Sequence, residues 1–289
     1  MAIVFDGVTH VFLPGSPFTT TAIEGISLTI DDGSFVGLIG HTGSGKSTLI
    51  QHINGLLKPT GGTVTVDGID TRNKADLQKL RRLVGLVFQY PEHQLFEETV
   101  ARDVAFGPRN MGLGDAEVGL RVREALAQVG LPGEDILGRS PFELSGGQRR
   151  RVAIAGVLAM QPKVLILDEP TAGLDPLGRE EVLALVSRIH RERGCTVIMV
   201  SHSMDEVARV AGRVLVMNHG QVAIDGTPRQ VFERSAHLRD MGLDVPAVAA
   251  LGEALRSRGM EVPGGIVTLD ELRDFVLTRL GKGGNADVR

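Results

Sequence analysis

The sequence predicts an α/β fold: a mostly parallel sheet covered by helices on both faces, joined by an antiparallel β layer, a helical subdomain and a small C-terminal helical extension. Three observations predict it. Short apolar runs at 33–40, 84–88, 164–167, 196–200 and 214–217 are separated by helical stretches, the pattern of parallel strands buried on both faces. The stretch before them alternates and is rich in β-formers. Beyond about Arg234 the pattern changes to amphipathic helices.

In chain order, residues 3–5, 8–12 and 26–30 form the antiparallel layer, interrupted by a loop around Leu13-Pro14-Gly15. The run 33–40 is a short strand ending in glycine, and residues 47–57 follow as a helix with Leu49, Ile50 and Ile53 on one side. Residues 63–66 and 84–88 are further strands, and 117–129 and 148–160 are helices. Two amphipathic helices are expected at 246–255 and 268–280. Val248, Leu251 and Leu255 fall on one face of the first, and Leu272, Phe275 and Val276 on one face of the second. Thr268 and Glu271 have the spacing of a capping box, and 281–289 reads as a frayed polar tail. The expected division is a domain over 1–234, with a helical subdomain at about 90–160, and an extension over 235–289 that serves dimerisation.

Composition narrows the function. With 289 residues, 42% hydrophobic and 23% charged, the chain suits a globular protein with a substantial core. A net charge of −4 gives no bulk attraction to nucleic acid, and no nucleic-acid partner is expected. The single Cys195 excludes an intrachain disulfide, and its apolar neighbours 196–200 predict a buried thiol. No segment approaches the ~20 apolar residues needed to span a bilayer. The start lacks the pattern of a signal peptide. The expectation is a cytoplasmic chain whose membrane role would need a partner that supplies the spans.

Gly40-His41-Thr42-Gly43-Ser44-Gly45-Lys46-Ser47 matches G-x-x-x-x-G-K-[ST] between a strand and a helix. The glycines let the backbone curl so that successive N–H groups face phosphate oxygens, and the helix start adds its positive dipole end. Lys46 reaches the terminal phosphates, the Ser47 hydroxyl is a magnesium ligand, and Thr48 can bond an adjacent phosphate. The apolar strand 164–167 delivers Asp168 beside this cradle, where it can hold magnesium through water. Glu169 follows at once and is placed as base toward an attacking water. Upstream, Leu144-Ser145-Gly146-Gly147-Gln148 makes a second phosphate-binding helix start. One chain has no need of two such sites pointing different ways, whereas two copies facing head-to-tail would each lend this element to the other's cradle.

With these motifs the sequence resembles the ATP-binding-cassette family over residues 1–234. The resemblance implies a P-loop ATPase fold, ATP and Mg2+ as ligands, and Ser145, Gly146, Gly147 and Gln148 as the signature motif that binds ATP across a dimer interface. It implies that Gln89 senses magnesium and the membrane partner, that Asp175 belongs to a loop coupling the two sites, and that His202 contacts the γ-phosphate and positions water. Phe12 stands where the family has an aromatic that stacks on adenine, most often tyrosine; the ring face is kept and the hydroxyl lost.

The stretch Phe88-Gln89-Tyr90-Pro91-Glu92-His93-Gln94-Leu95-Phe96-Glu97-Glu98-Thr99-Val100 is similar to the energy-coupling-factor transporter ATPases. So are Val11-Phe12-Leu13-Pro14-Gly15-Ser16-Pro17-Phe18 and Gly242-Leu243-Asp244-Val245-Pro246. This implies an importer of a vitamin or transition-metal ion, built from two ATPases (paralogues or self), a membrane scaffold with coupling helices and a membrane protein that captures substrate. The chain would then sit at the cytoplasmic face of the cell membrane. Glu92, Glu97 and Glu98 beside Leu95 and Phe96 are expected to form the socket for the scaffold, and Arg149, Arg150 and Arg151 to serve phosphate or an interface. Two other readings are a soluble cassette acting on ribosomes or DNA, and the cassette of another transporter type; co-purifying proteins separate them.

Overall fold

The computed structural model describes residues 2–283. Two long strands, β1 (Ala2–Phe12) and β2 (Thr20–Asp31), pair antiparallel. β3 (Phe35–Gly40), buried at every position, runs into α1 (Lys46–Ile53). β4 (Gly61–Val66) and the two-residue β5 (Ile69–Asp70) complete an antiparallel sheet of order β2-β1-β4-β5. α2 (Leu77–Leu83) and β6 (Val84–Val87) lead to a helical region of α3 (Val100–Asn110), α4 (Asp115–Gln128) and α5 (Gly146–Leu158). Next come β7 (Val164–Asp168), α6 (Pro176–Arg193), β8 (Thr196–Val200), α7 (Met204–Val210), β9 (Arg213–Asn218) and β10 (Gln221–Gly226). The second sheet has the order β10-β9-β3-β8-β7-β6 and is parallel except for β10 at its edge.

Strand alternation divides the core in two. Leu165 and Leu167 face one way with Val197, Met199, Val214 and Val216, against residues of α3 to α7. Val164 and Ile166 face the other way with Ile198, Val200, Leu215 and Met217, against α1, α2 and the antiparallel sheet. The parallel sheet is therefore covered by helices alone on one face, and by helices and the antiparallel layer together on the other. This explains why its strands read as continuous apolar runs while β1 and β2 alternate. Each fully buried Val, Leu or Ile contributes roughly 1.5–3 kcal/mol over exposure.

The helix expected at 47–57 stops earlier, because Asn54 leaves helical geometry and Gly55 turns left-handed at φ 70°. β5 and β10 carry little sequence signal: β5 has two residues, and β10 exposes Gln221, Ala223 and Asp225. Cys195 is buried just before β8, and burial pushes its thiol up.

The C-terminal region holds α8 (Pro228–Phe232), α9 (Ser235–Asp240), α10 (Ala247–Ser257) and α11 (Leu269–Gly283). Leu238, Leu243 and Val267 pack into the main core. Val262, Ile266 and Leu272 form a small separate cluster with Val248, Leu255, Phe275 and Val276, while Leu251 is exposed. The capping box is formed: Thr268 N–H donates to Glu271 at 3.1 Å and Glu271 N–H to Thr268 Oγ1 at 3.4 Å. The tail expected at 281–289 is helical to Gly283, and the rest of it lies outside the described residues.

Candidate active site

Strand order brings the candidate residues to one place. The loop from Gly40 leaves β3, Gln89 follows β6, Asp168 ends β7 with Glu169 next, and His202 follows β8. All emerge at the carboxyl ends of parallel strands, where open α/β sheets form their ligand crevice. The β7–β8 register pairs Asp168 with Val200, and Glu169 N–H donates to Val200 O at 3.0 Å, so Glu169 and His202 meet.

The cradle depends on glycine at two positions. A Cβ on Gly40 (φ 155°) would lie 2.4 Å from the Met217 carbonyl oxygen, and one on Gly45 (φ 102°) 2.6 Å from that of Ala22. Gly45 is the N-cap of α1 and offers no side-chain cap, so the first-turn N–H groups of α1 have the geometry to bind an anion. Lys46 Nζ donates to the carbonyls of Gly40 at 2.7 Å and His41 at 3.0 Å. Burial lowers its pKa, opposed by the charges of Glu169 and Asp168. His41 Nε2 lies 3.1 Å from Asn218 Oδ1.

Around Glu169 three side chains converge. Gln89 Nε2 donates to Glu169 Oε2 at 2.9 Å, and His202 Nε2 lies 2.6 Å from Glu169 Oε1. Glu169 itself takes φ 50°, rare for a residue with a Cβ and worth roughly 1–3 kcal/mol of local strain. Asp168 is pushed up by burial first and by Glu169 second, with Lys46 and His202 opposing. Among the described residues no donor hydrogen-bonds its carboxylate, and no three His, Cys, Asp or Glu side chains form a metal cage. The donor set fits magnesium, which takes one or two protein oxygens and completes its shell with water and substrate phosphate. Asp168 and the Ser47 hydroxyl are such donors.

Other expected residues stand apart. Ser145 caps α5 and makes a reciprocal capping box with Gln148, its N–H reaching Gln148 Oε1 at 3.1 Å and its Oγ accepting from Gln148 N–H at 3.3 Å. Among the described residues, no hydrogen bond or ion pair joins Ser145, Gly146, Gly147 or Gln148 to the Glu169 cluster. Asp175 caps α6, accepting from Gly178 N–H at 2.7 Å. Phe12 ends β1, is 40% exposed and packs edge-on to His10 at 4.5 Å. His10 Nδ1 lies 2.9 Å from Lys58 O and 3.2 Å from His52 Nε2; His52 Nδ1 lies 2.6 Å from Thr48 O. Carbonyls only accept, so both Nδ1 atoms carry protons and His52 Nε2 accepts from His10. His52 is fully buried, and burial lowers its pKa.

The acidic socket, and Arg150 within the arginine run, need correction. Glu92 is an internal group: Arg150 Nε and Nη2 donate to its two oxygens at 3.1 and 3.0 Å. Burial opposes Glu92's charge, but the Arg150 hydrogen bond and charge outweigh it and hold its carboxyl below the ordinary range. Arg150 therefore serves neither phosphate nor an exposed interface. Leu95 is buried, and Glu97 and Glu98 both pair with Arg102, at 3.1 and 2.7 Å. The exposed apolar side chains there are aromatic: Phe96 and Phe106 meet edge-on at 5.0 Å and line a groove of about 530 Å³ with Gly107, Met111 and Met160. Sequence reasoning missed Phe106, although Phe106 stands ten residues from Phe96 with Val104 and Ala105 beside it.

The fold and this cluster define an ATP-binding cassette, an ATPase. The ABC transporter family profile matches residues 23–172. The chain belongs to the energy-coupling factor transporter ATP-binding proteins within that family. It is 61% identical to such a protein, EcfA2 of Symbiobacterium thermophilum, over 94% of each chain. It is 51% identical to that of Clostridium perfringens, over 96% of this chain and 98% of the other. Among solved structures, cbiO1 of Clostridium perfringens, described as part of the ABC transporter complex cbiONQ, superposes with TM-score 0.74 at 40% identity, covering 87% of this chain and 98% of that one. The ATP-binding cassette MJ0796, solved as a dimer in a post-hydrolysis state with ADP and Pi, gives 0.70 at 31% identity over 78% and 98%.

Proposed function

We propose that the chain powers an energy-coupling-factor importer of a vitamin or transition-metal ion, working as one of two head-to-tail cassettes (paralogues or two copies of this chain). Its partners are a membrane scaffold with coupling helices and a membrane protein that captures substrate. The relatives' names and the near-complete coverage of their length support this reading. The observation that carries the membrane link is the groove beside the Gln89 segment, whose Phe96 and Phe106 are 58% and 46% exposed. No helix among the described residues is long and apolar enough to cross a membrane, so transport requires partners that do. The chain docks on the cytoplasmic face.

In this reading the cradle 40–48 binds the ATP phosphates, Phe12 stacks on the base, and Lys46 neutralises terminal charge. Ser47 and Asp168 would hold magnesium, with Gln89 as a further contact; the ion would supply positive charge against the negative charge that develops on the phosphates. Glu169 accepts the attacking water's proton, while His202 orients Glu169 and the water. Ser145, Gly146, Gly147 and Gln148 complete the partner cassette's site, and Asp175 lies at the shared interface. ATP favours the closed pair because it binds that state more tightly, and hydrolysis releases it. Affinity purification of the tagged chain from native membranes tests the assignment. Two integral membrane proteins and a cassette should co-purify; recovery of ribosomes, or of the chain alone, refutes it.

A further inference from the structure

Arg150 lies outside the nucleotide cluster, yet it is among the most deeply buried charges of the fold, at 2% exposure. Its guanidinium joins three segments. Nε and Nη2 grip both oxygens of Glu92, three residues after Gln89 in the segment Gln89 to Phe96. Nη1 donates to Pro170 O at 3.0 Å and to Ala172 O at 2.9 Å, in the three residues directly after Glu169. Arg150 itself rides on α5, the helix whose first turn is the signature motif. Four donor contacts from a rigid planar fork give each segment a defined place relative to the others.

The consequence falls on Glu169. Its backbone is held on one side by Val200 O and on the other by the turn in which Ala172 N–H donates to Glu169 O at 3.1 Å. The carbonyl of that same Ala172 is bound by Arg150. Glu169 also sits at φ 50°, a conformation that persists only where its surroundings impose it. We infer that Arg150 is a positioning residue for hydrolysis, through which the signature helix and the Gln89–Phe96 segment hold the Pro170–Ala172 turn and so the carboxylate of Glu169. A displacement of the docking segment or of α5 is thereby passed to the base. The inference rests on Glu169 being the base, as proposed above.

Removing Arg150 alone strands a buried carboxylate, so the test separates positioning from stability. The full-length chain, in the complex with which it co-purifies, is compared as Arg150→Lys, Arg150→Met, Arg150→Met with Glu92→Leu, and Glu169→Gln as control. Unfolding temperature, ATP Kd, KM and kcat are measured for each. Arg150→Lys keeps a charge beside Glu92 but cannot reproduce the fork; it should fold, keep KM and Kd within about threefold, and lower kcat roughly tenfold or more. The double variant removes both charges and should recover much of the unfolding temperature lost in Arg150→Met while kcat stays equally low. If kcat returns with stability in the double variant, Arg150 is structural only and the inference is overturned. It is likewise overturned if Arg150→Lys turns over at the wild-type rate, or loses ATP affinity in proportion to rate. Should the double variant not fold, Arg150→Lys decides. A Glu169→Gln control that hydrolyses normally rejects the base assignment instead, which keeps the two failures distinct.

Discussion

Glu169→Gln isolates the proposed base because the surroundings can absorb the change. The wild-type carboxylate takes Gln89 Nε2 on one oxygen at 2.9 Å and faces His202 Nε2 with the other at 2.6 Å. An amide keeps one acceptor for His202, and its NH2 can face Gln89 if that amide turns to present oxygen. The geometric cost is then about one hydrogen bond, on the order of 1 kcal/mol. The proton acceptor, in contrast, is lost outright. General-base catalysis contributes roughly 10²–10⁴-fold, or about 2.7–5.4 kcal/mol at 1.36 kcal/mol per decade. The rate effect therefore exceeds the structural one. Single-turnover hydrolysis should slow by that factor, ATP should bind with unchanged affinity, and size-exclusion chromatography with ATP should show a closed dimer accumulating. Loss of nucleotide binding would make Glu169 structural, and a near-normal rate would place the base elsewhere.

Lys46→Ala should abolish measurable turnover and weaken ATP binding at least tenfold by equilibrium titration, because a charged donor at the phosphates contributes more than roughly 1.5 kcal/mol; normal hydrolysis would reject the cradle. His52 is held neutral by burial, below its ordinary 6.5. Its contribution to stability is complete above that value and lost progressively as pH falls from it toward the lowered folded value, where the unfolded chain binds the proton and the folded chain does not. His52→Gln should flatten the fall in unfolding temperature across that window, and an unchanged slope would contradict the assignment. Phe96→Asp with Phe106→Asp should reduce substrate uptake in vesicles at least tenfold while leaving the chain's basal ATP hydrolysis within about threefold, since buried aromatics dominate interface energy; normal uptake and assembly would move the docking site elsewhere. Truncation after Val245 removes α10 and α11 but keeps Leu238 and Leu243 in the main core. It should leave a folded cassette that no longer pairs without ATP, and unchanged sedimentation would show that the extension only packs on its own chain.

Part of this protein was legible residue by residue. The cradle is local: eight consecutive residues between a strand and a helix, with glycines where a Cβ would meet Met217 and Ala22. The parallel strands were legible because burial on both faces leaves no room for polar alternation. The capping box at Thr268 was legible because its partners are three residues apart. β10 was not, since an edge strand with polar outer residues carries little apolar signal.

What sequence alone determined, then, is every feature whose cause is short-range: the phosphate loop, the alternation of strands and helices, the caps, and the residue types able to do the chemistry. Tertiary structure decided which of those residues meet. Gln89 and Glu169, 80 positions apart, touch because β6 and β7 are neighbours in the parallel sheet. It also decided which charges are available. Glu92, Glu97 and Glu98 look alike along the chain, yet the first is neutralised inside by Arg150, 58 positions away, and only Glu98 is widely exposed. The reason is physical: a buried charge must find a partner within about 4 Å or shed its charge, and where that partner stands depends on how distant segments pack, which no local pattern encodes.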